Sequence, residues 1–382
     1  MDLVLSEEQE LLRHTAREFV AARSSLRRVR ALRDAPGDTG FSCELWHEMA
    51  RLGWVGIILP EAHGGLGLGY LDLMVVMEEL GRGLMPEPML STVLLGANAI
   101  LLGGTAEQQR ENLPAVAEGE RLLALAYQEA RSRHDPHHVE TRAERAGGGF
   151  VLGGEKVHVL DGPAANRLVV TARTAGGPRD PRGVTLFLLH PDAPGVTIER
   201  QERIDGRNAA LVRLRDVPVE PDAVLGEVDA GGALLARVLD RATAGLAAEM
   251  LGSMSAAFDM TTEYLKTRVQ FGVPIGSFQA LKHRTAKLYV ELELARSAVM
   301  HAQRVLDERR DDAAVARATS IAKARASDAF ITIGHEGVQM HGGIGMTDEH
   351  DIGLFLKRAR AAEMTFGDAA YHRDRLARLD GY

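Results

Sequence analysis

The amino-acid sequence predicts an α+β protein in which helices come first, an antiparallel β-domain follows and a helical bundle ends the chain. Residues 1–120 carry helix-start signals and apolar residues at helical spacing. Residues 121–227 carry short aliphatic and β-branched runs separated by glycine and proline. Residues 228–382 carry long stretches rich in alanine and leucine, with few helix breakers. We therefore predict three domains, with boundaries near residues 120 and 228.

The N-terminal region carries clear helix-start signals. A Ser or Thr followed three residues later by Gln predicts a capping box, in which the two residues satisfy each other's backbone donors. Two such boxes are Ser6 with Gln9 and Thr105 with Gln108. Ser42 can cap a further helix that Gly53 ends. Residues 63–69 are too rich in glycine to continue a helix and predict a loop.

The middle region predicts β-strands. The aliphatic and β-branched runs lie at 150–152, 157–160, 168–171, 184–189, 196–198 and 211–214. Gly153 and Gly154 separate the first two runs, and residues 147–149, all glycine, predict a turn. Parallel strands need long crossover connections, usually helical, and these runs lack them. We therefore expect an antiparallel sheet.

The C-terminal region predicts three long helices, over residues 233–266, 278–308 and 312–340. Each has about 30 residues and would extend ~45 Å at 1.5 Å per residue. The connections between them are short, so neighbouring helices should run antiparallel and form a bundle.

Charge and cysteine usage restrict the classes of protein and partner. The net charge of −8, from 45 basic and 53 acidic residues, argues against nucleic acid as a partner. Cys43 is the only cysteine, so no internal disulfide can form and a reducing cytoplasm is expected. Residues 1–3 lack the basic start of a signal peptide, and no apolar run reaches the ~20 residues that cross a bilayer. We expect a cytoplasmic protein without a membrane partner.

Three histidines, His134, His137 and His138, raise the question of a metal site. Structural zinc needs four nitrogen or sulfur ligands, and neither cysteine nor a second histidine pair accompanies them. A solvated loop is the favoured interpretation, and we predict no metal.

Two segments of the last region carry the chemistry. Residues 268–279 read Arg-Val-Gln-Phe-Gly-Val-Pro-Ile-Gly-Ser-Phe-Gln, and residues 339–347 read Gln-Met-His-Gly-Gly-Ile-Gly-Met-Thr. Together they resemble the dinucleotide-holding segments of the acyl-CoA dehydrogenase family, whose members are FAD enzymes, and weaker matches run along the full chain. The simpler alternative is that both are loops between bundle helices.

The resemblance implies an FAD site shared between subunits. In the family, the arginine that Arg268 matches reaches the FAD pyrophosphate of a neighbouring subunit, and a guanidinium suits phosphate because it stays charged and binds two oxygens at once. The same resemblance implies that the adenosine end is lined by Gln270, Phe271, Ile275, Phe278 and Gln279. It also implies that the site is completed from the partner chain by Gln339, Gly342 and Gly343.

The flavin-ring positions depart from the family's pattern. The threonine that donates to the flavin ring falls on Gln128, the stacking tryptophan on His158 and the threonine near flavin N5 on Leu160. Leucine has no hydrogen-bond donor, so the last of these contacts cannot form.

The substrate positions are partly retained. Asp240 and Arg241 match the family's Asp-Arg pair near the pantetheine arm of the acyl-CoA. Thr243 stands where a second arginine is usual, and Ala242 stands at the glutamate position of some branches. A solvated pair on a helix is the alternative interpretation of Asp240 and Arg241.

The family's catalytic glutamate has no counterpart in this sequence. Matching Arg358 to the family's arginine puts Gly367 at the glutamate position. Asp368 is adjacent, but it is one methylene shorter and displaced by one residue. It also suits a helix N-cap before residues 371–379, and we favour the cap over the base.

These departures resemble one branch of the family, in which an active subunit pairs with a partner that has lost half of its site. That branch forms heterotetramers that act on CoA esters of steroid or bile-acid side chains. The resemblance implies a non-catalytic subunit of an FAD-dependent acyl-CoA dehydrogenase, in a homo- or heterotetramer with a glutamate-bearing subunit and with electron-transfer flavoprotein as acceptor. Two alternatives are a self-sufficient dehydrogenase that uses Asp368 or another base, and a non-catalytic acyl-CoA-binding scaffold subunit.

Overall fold

The computed structural model describes residues 4–308 and 310–382. Residues 1–3, on which the signal-peptide argument rests, lie outside this part of the chain. Clustering in space divides the chain into two compact units. The first contains the chain up to Arg30, Tyr70–Met85 and Thr243–Tyr382, and the second contains Ala31–Gly69 and Pro86–Ala242. The predicted three-domain boundaries near residues 120 and 228 stay a prediction.

The helices dominate both ends of the chain. They are α1 (Glu7–Arg23), α2 (Leu26–Asp34), α3 (Cys43–Arg51), α4 (Tyr70–Arg82), α5 (Asn98–Gly103), α6 (Ala106–Ala117), α7 (Gly231–Thr267), α8 (Gln279–Asp307), α9 (Asp312–His341), α10 (Ile352–Met364) and α11 (Ala369–Leu379). A π-helical segment, Met89–Ala97, precedes α5. The three longest helices, α7, α8 and α9, correspond to the three long helices that the sequence predicts. Helices, sheet and helical bundle follow one another as expected, so the predicted fold class is confirmed.

The predicted helix caps are also confirmed. Ser6 Oγ accepts a hydrogen bond from the Gln9 N–H at 3.2 Å, and Gln9 Oε1 accepts one from the Ser6 N–H at 3.1 Å. Thr105 and Gln108 form the second capping box at the start of α6. Ser42 caps α3 through the Leu45 N–H. Local hydrogen-bond chemistry therefore sets where these helices begin.

One eight-stranded sheet forms the middle of the chain. Its strands are β1 (Leu123–Ala126), β2 (Arg142–Ala146), β3 (Gly149–Leu160), β4 (Arg167–Arg173), β5 (Val184–Leu189), β6 (Val196–Gln201), β7 (Ala209–Val219) and β8 (Val224–Leu225). The order is β6-β7-β3-β2-β4-β5-β8, and β1 pairs with β4. Most neighbours are antiparallel, as predicted, but β1 and β2 pair parallel with β4. The β2–β3 hairpin lies between β1 and β4 in the chain, and it supplies the connection that a parallel pair needs.

The two predicted strands 150–152 and 157–160 are one continuous strand, β3. Gly154 does not break it, because its φ of +153° belongs to a bulge where β3 shifts register against β7. An added Cβ there would lie 2.5 Å from Thr141 Oγ1. The predicted turn at Gly147 and Gly148 is confirmed, with φ values of +57° and +91° that suit a two-residue hairpin.

Candidate functional site

The first dinucleotide segment forms a small hairpin at the end of α7. Strands β9 (Val269–Gln270) and β10 (Val273–Pro274) pair antiparallel, and Phe271 and Gly272 make the turn with φ values of +55° and +80°. The Phe271 side chain is 92% exposed, and its ring meets Phe278 edge-on at 6.0 Å between centroids. The hairpin therefore presents an uncovered aromatic tip.

Arg268 lies at the base of this hairpin. Its N–H donates to the Tyr264 carbonyl at 2.8 Å, and its carbonyl accepts from the Ile275 N–H at 2.8 Å. These two bonds fix the backbone while the side chain stays exposed. Gln270 and Gln279 are exposed as well. A long cation next to aromatic surface suits a phosphate-bearing nucleotide.

The second dinucleotide segment follows α9. Gln339 is exposed near the end of the helix, and Gly342 leaves it with a φ of +65°. A Cβ built on Gly343 would meet nothing within 4 Å. The turn thus offers bare backbone that a ligand can approach closely.

Within the first unit, three aromatic rings lie in contact beside the two dinucleotide segments. The His341 ring, on the last residue of α9, lies 4.4 Å from the Tyr264 ring and 4.3 Å from the His350 ring between centroids. Tyr264 lies in the last turn of α7, just before Arg268. The sequence did not predict this cluster, because nothing except their nearness to the two motifs marks its three members.

In the second unit, a buried ion pair lies beside the expected flavin-ring segment. Glu129 Oε1 is 2.6 Å from Lys156 Nζ and also accepts from the Thr141 hydroxyl at 2.7 Å. Burial lowers the pKa of Lys156 to about 8, although Glu129 opposes the shift. Burial alone would raise the pKa of Glu129, but Lys156 and the hydrogen bonds leave it below its usual value. The pair anchors the backbone next to Gln128, whose amide donates to the Arg133 carbonyl at 3.0 Å.

His158 lies at the second bulge of β3, with a φ of +53°. Its N–H donates to Gln201 Oε1 at 2.9 Å, and burial together with Arg203 lowers its pKa. Leu160 ends the strand and offers no donor. The position that the resemblance assigns to a threonine therefore lacks the hydrogen bond that a hydroxyl would give.

The two candidate substrate residues differ in exposure. Asp240 is 5% exposed on α7, whereas Arg241 is half-buried and donates to the Arg237 carbonyl at 2.9 Å. A buried aspartate does not fit the alternative of a fully solvated pair.

Across residues 4–308 and 310–382, no group of three or more His, Cys, Asp or Glu side chains could hold a metal ion.

The position expected for the catalytic base is a closed turn. Gly367 is buried with a φ of +106°, and a Cβ there would lie 2.3 Å from Tyr371 Cδ1 and 3.1 Å from His372 Nε2. Asp368 Oδ1 accepts from the Tyr371 N–H at 2.8 Å and caps α11. The predicted helix cap is therefore confirmed.

A buried lysine hydrogen-bonds to this turn. Lys323 on α9 is fully buried, and its Nζ donates to the Gly367 carbonyl at 2.7 Å, the Glu363 carbonyl at 2.9 Å and Ser327 Oγ at 3.1 Å. Burial lowers the pKa of Lys323 to about 7, although Glu363 and Asp368 oppose the shift. Sequence reasoning missed Lys323, since a lysine in an alanine-rich helix is usually solvated.

Arg358, the residue used to place the expected base, is itself buried in α10. Its Nε and one terminal nitrogen lie 2.9 Å and 2.8 Å from Glu249 Oε1, and both side chains are 4% exposed. A buried pair of this kind is costly to break, so it fixes α10 against α7.

Fold and motifs together define a flavoenzyme of the kind that oxidises CoA thioesters. Profiles of the acyl-CoA dehydrogenase N-terminal, middle and C-terminal domains match residues 6–120, 124–217 and 229–379. The chain belongs to the acyl-CoA dehydrogenase family. Its members are oxidoreductases acting on CH–CH bonds, and FAD is the cofactor. The exposed Arg268 and the bare Gly343 backbone fit the dinucleotide part of FAD.

Relatives and solved structures cover the whole chain. The chain is 30% identical to a probable acyl-CoA dehydrogenase of Bacillus subtilis, YngJ, over 99% of both chains. It is 33% identical to the acyl-CoA dehydrogenase IpdE2 of Mycolicibacterium smegmatis, over 98% of this chain and 99% of that relative. A variant of the Tcur3481-Tcur3483 steroid ACAD matches with a TM-score of 0.87 at 35% identity over 98% of each chain. The ChsE4-ChsE5 complex of Mycobacterium tuberculosis matches with a TM-score of 0.89 at 27% identity over 100% of each.

No helix within the described residues is both long and apolar enough to cross a membrane.

Proposed function

We propose that this chain is the base-lacking subunit of a heteromeric, FAD-dependent acyl-CoA dehydrogenase that acts on a bulky CoA ester of the steroid side-chain class. The observation that carries the proposal is the turn at Gly367. The matched position has no side chain, a neighbouring ring fills the space of its Cβ, and the adjacent carboxylate caps a helix.

The reaction explains why this turn matters. In the family's reaction a carboxylate removes the α-proton of the acyl-CoA, and FAD, when bound, would supply the acceptor for the hydride of the β-carbon. A positioned base contributes roughly 10²–10⁴-fold to the rate. Gly367 offers no proton acceptor on a side chain, and Asp368 Oδ1 already accepts the Tyr371 N–H at 2.8 Å. A subunit built in this way depends on a partner that brings the glutamate.

The dinucleotide segments give the chain a role in cofactor binding that does not need a base. Arg268 would bind the FAD pyrophosphate, and the adenosine end would meet the residues named for it above: Gln270, Phe271, Ile275, Phe278, Gln279, Gln339, Gly342 and Gly343. Supporting this, Phe271 and its neighbours are exposed, which is the condition expected of a surface that another subunit covers. Leu160, which has no donor, supports a role in FAD bound across the subunit interface instead of a complete flavin-ring site.

The substrate and assembly follow from similarity and from the site. Asp240 and Arg241 would contact the pantetheine arm of the acyl-CoA. The similarity to a steroid ACAD at 35% identity supports a bulky, ring-bearing CoA ester, and the similarity to the ChsE4-ChsE5 complex supports a heteromer. We therefore infer a tetramer with two glutamate-bearing subunits. Electron-transfer flavoprotein is the expected acceptor, and the cytoplasm is the expected compartment for a chain whose only cysteine is Cys43.

The test is to purify the chain alone and together with a glutamate-bearing partner. Flavin content, native mass and anaerobic bleaching of the flavin by a steroid side-chain acyl-CoA are recorded for both preparations. We expect bleaching only in the co-purified complex, with a mass equal to two copies of each chain. Bleaching by the chain alone that is lost in Asp368→Asn supports the self-sufficient dehydrogenase. A complex that binds acyl-CoA without flavin supports the scaffold subunit.

A further inference from the structure

The ring cluster of Tyr264, His341 and His350 lies beside the two dinucleotide segments: Tyr264 precedes the first, His341 is part of the second and His350 follows it. Tyr264 accepts the Arg268 N–H on its carbonyl, and His341 immediately precedes Gly342. The centroid distances of 4.4 Å and 4.3 Å leave no room for another group between the rings. The stack therefore joins the helix end from which the hairpin continues to the helix end from which the glycine turn continues.

The hydrogen bonds fix the proton on each imidazole. His341 Nδ1 lies 2.6 Å from the Gly337 carbonyl, which only accepts, so Nδ1 carries the proton. His341 Nε2 is then a bare acceptor, and it is buried without a hydrogen-bond partner among the described residues. His350 Nδ1 accepts the Ile352 N–H at 3.2 Å, so its proton lies on Nε2.

Both rings are thus arranged to be neutral. A proton added to His341 Nε2 would be a buried charge with no acceptor, and the side chain is only 3% exposed. A proton added to His350 Nδ1 would remove the acceptor of the Ile352 N–H at the start of α10. Burial lowers the pKa of both histidines. At His341 the hydrogen bond to the Gly337 carbonyl opposes this shift and the His350 imidazole adds to it, whereas at His350 Asp351 opposes the shift and Arg30 adds to it.

Few other charges face the stack. Arg30 lies beside His350 and pairs with Asp351 at 2.9 Å and Asp348 at 3.3 Å. Tyr264 adds a ring to the stack. No carboxylate hydrogen-bonds to His341 among the described residues, and its hydrogen bond to the Gly337 carbonyl is already made by the neutral ring.

We propose that Tyr264, His341 and His350 are positioning residues that hold the hairpin and the Gly342–Gly343 turn in the geometry that binds FAD, and that they do so only while His341 is neutral. The proposal rests on the proposed role of the two segments in holding FAD, and it does not depend on the missing base. Because the stacked state lowers the histidine pKa, protonation favours the unstacked state as the pH falls below the ordinary histidine value of 6.5. FAD is then released.

The experiment measures FAD retention of the assembled flavoprotein by the fluorescence of released flavin, from about pH 5 to about pH 8, with far-UV circular dichroism as a check on folding. Wild type should lose FAD as the pH falls below 6.5 while its secondary structure is kept. His341→Phe keeps a ring and removes the titration, so it should retain FAD at acid pH. His341→Ala removes the ring contacts and should weaken FAD binding about tenfold at every pH. His335→Ala, an exposed histidine on the same helix, is the matched control and should behave as wild type.

The Arg268→Ala variant distinguishes a failure of the inference about the ring cluster from a failure of the proposed role of Arg268. If Arg268→Ala lowers FAD retention while both His341 variants match wild type at every pH, the ring cluster does not position the site and the inference is wrong. If His341→Phe releases FAD in acid as wild type does, the pH dependence is assigned to the wrong group. If Arg268→Ala retains FAD fully while His341→Ala does not, the proposed role of Arg268 fails and the ring cluster stands.

Discussion

Replacing Gly367 by glutamate tests whether the position matched to the family's catalytic base can accept one. The φ of +106° is strained for any residue with a Cβ, at about 1–3 kcal/mol. The new Cβ would lie 2.3 Å from Tyr371 Cδ1. Because this ring atom lies near the backbone, the Tyr371 side chain must adopt another rotamer. Overpacking of this kind costs about 1–3 kcal/mol. Gly367→Glu should therefore lose roughly 2–6 kcal/mol of folding free energy, the sum of the two effects.

The assay combines thermal unfolding with activity. A loss of that size should lower the Tm by roughly 5 °C or more, since each kcal/mol shifts Tm by about 2–4 °C in a protein of a few hundred residues. Gly353→Glu is the control, because it adds the same charge on α10 where a Cβ meets nothing within 4 Å. Gly367→Ala reports the backbone strain and the Cβ contact without the carboxylate. The chain alone should still not bleach flavin with acyl-CoA.

One outcome would refute this reasoning. If Gly367→Glu keeps the wild-type Tm and the purified chain then oxidises acyl-CoA without a partner, the turn accepts a base. The closed geometry at Tyr371 would then be no obstacle, and the absence of a glutamate would be the only defect of the site.

Three further predictions address the cofactor, the helix cap and the buried lysine. Arg268→Ala should lower the flavin content of the assembled complex because a phosphate partner is lost, whereas its exposed neighbour Lys266→Ala should not; absorbance of the purified complexes decides. Asp368→Asn should leave the complex active, because asparagine caps as well as aspartate does, while Asp368→Ala should cost ~1 kcal/mol in chemical denaturation without loss of turnover. Because burial lowers the pKa of Lys323 to about 7 from 10.5, unfolding binds protons between these values. The free energy of unfolding of wild type relative to Lys323→Met should rise from pH 7 to 10.5, by at most about 1.4 kcal/mol per pH unit. Lys287→Met, at an exposed site, is the control. If the free energy of unfolding of wild type, Lys323→Met and Lys287→Met has the same flat dependence on pH, the assignment is wrong.

Features set by neighbouring residues could be predicted from the sequence. The caps at Ser6, Thr105 and Asp368 depend on bonds within three residues, and each forms as expected. The glycine turn before β3 has the same local origin. Strand β1, with the sequence Leu-Ala-Leu-Ala, could not be predicted in this way, because it forms by pairing with β4, about forty residues away, and alanine has low β propensity.

Features that depend on distant residues were missed. The buried Lys323 donates hydrogen bonds to two backbone carbonyls, one in α10 and one in the turn after it, about forty residues further along the chain, and these bonds offset the cost of its burial. The Tyr264–His341 contact joins residues from different helices, and no spacing rule connects them. The motif residues could be named from the sequence, but the groups that hold the motifs in place could not.

The aromatic hairpin has a consequence for how the cell supplies this chain. Phe271 is 92% exposed, and Val269, Val273 and Phe278 add further uncovered apolar area around it. Such a patch promotes self-association when nothing covers it. If a partner subunit covers this patch, as proposed above, copies of this chain made in excess over that partner would precipitate or be degraded, and balanced synthesis of the two chains would keep them in solution. We expect expression of this chain by itself to give a low yield that rises when the covering subunit is made in the same cell.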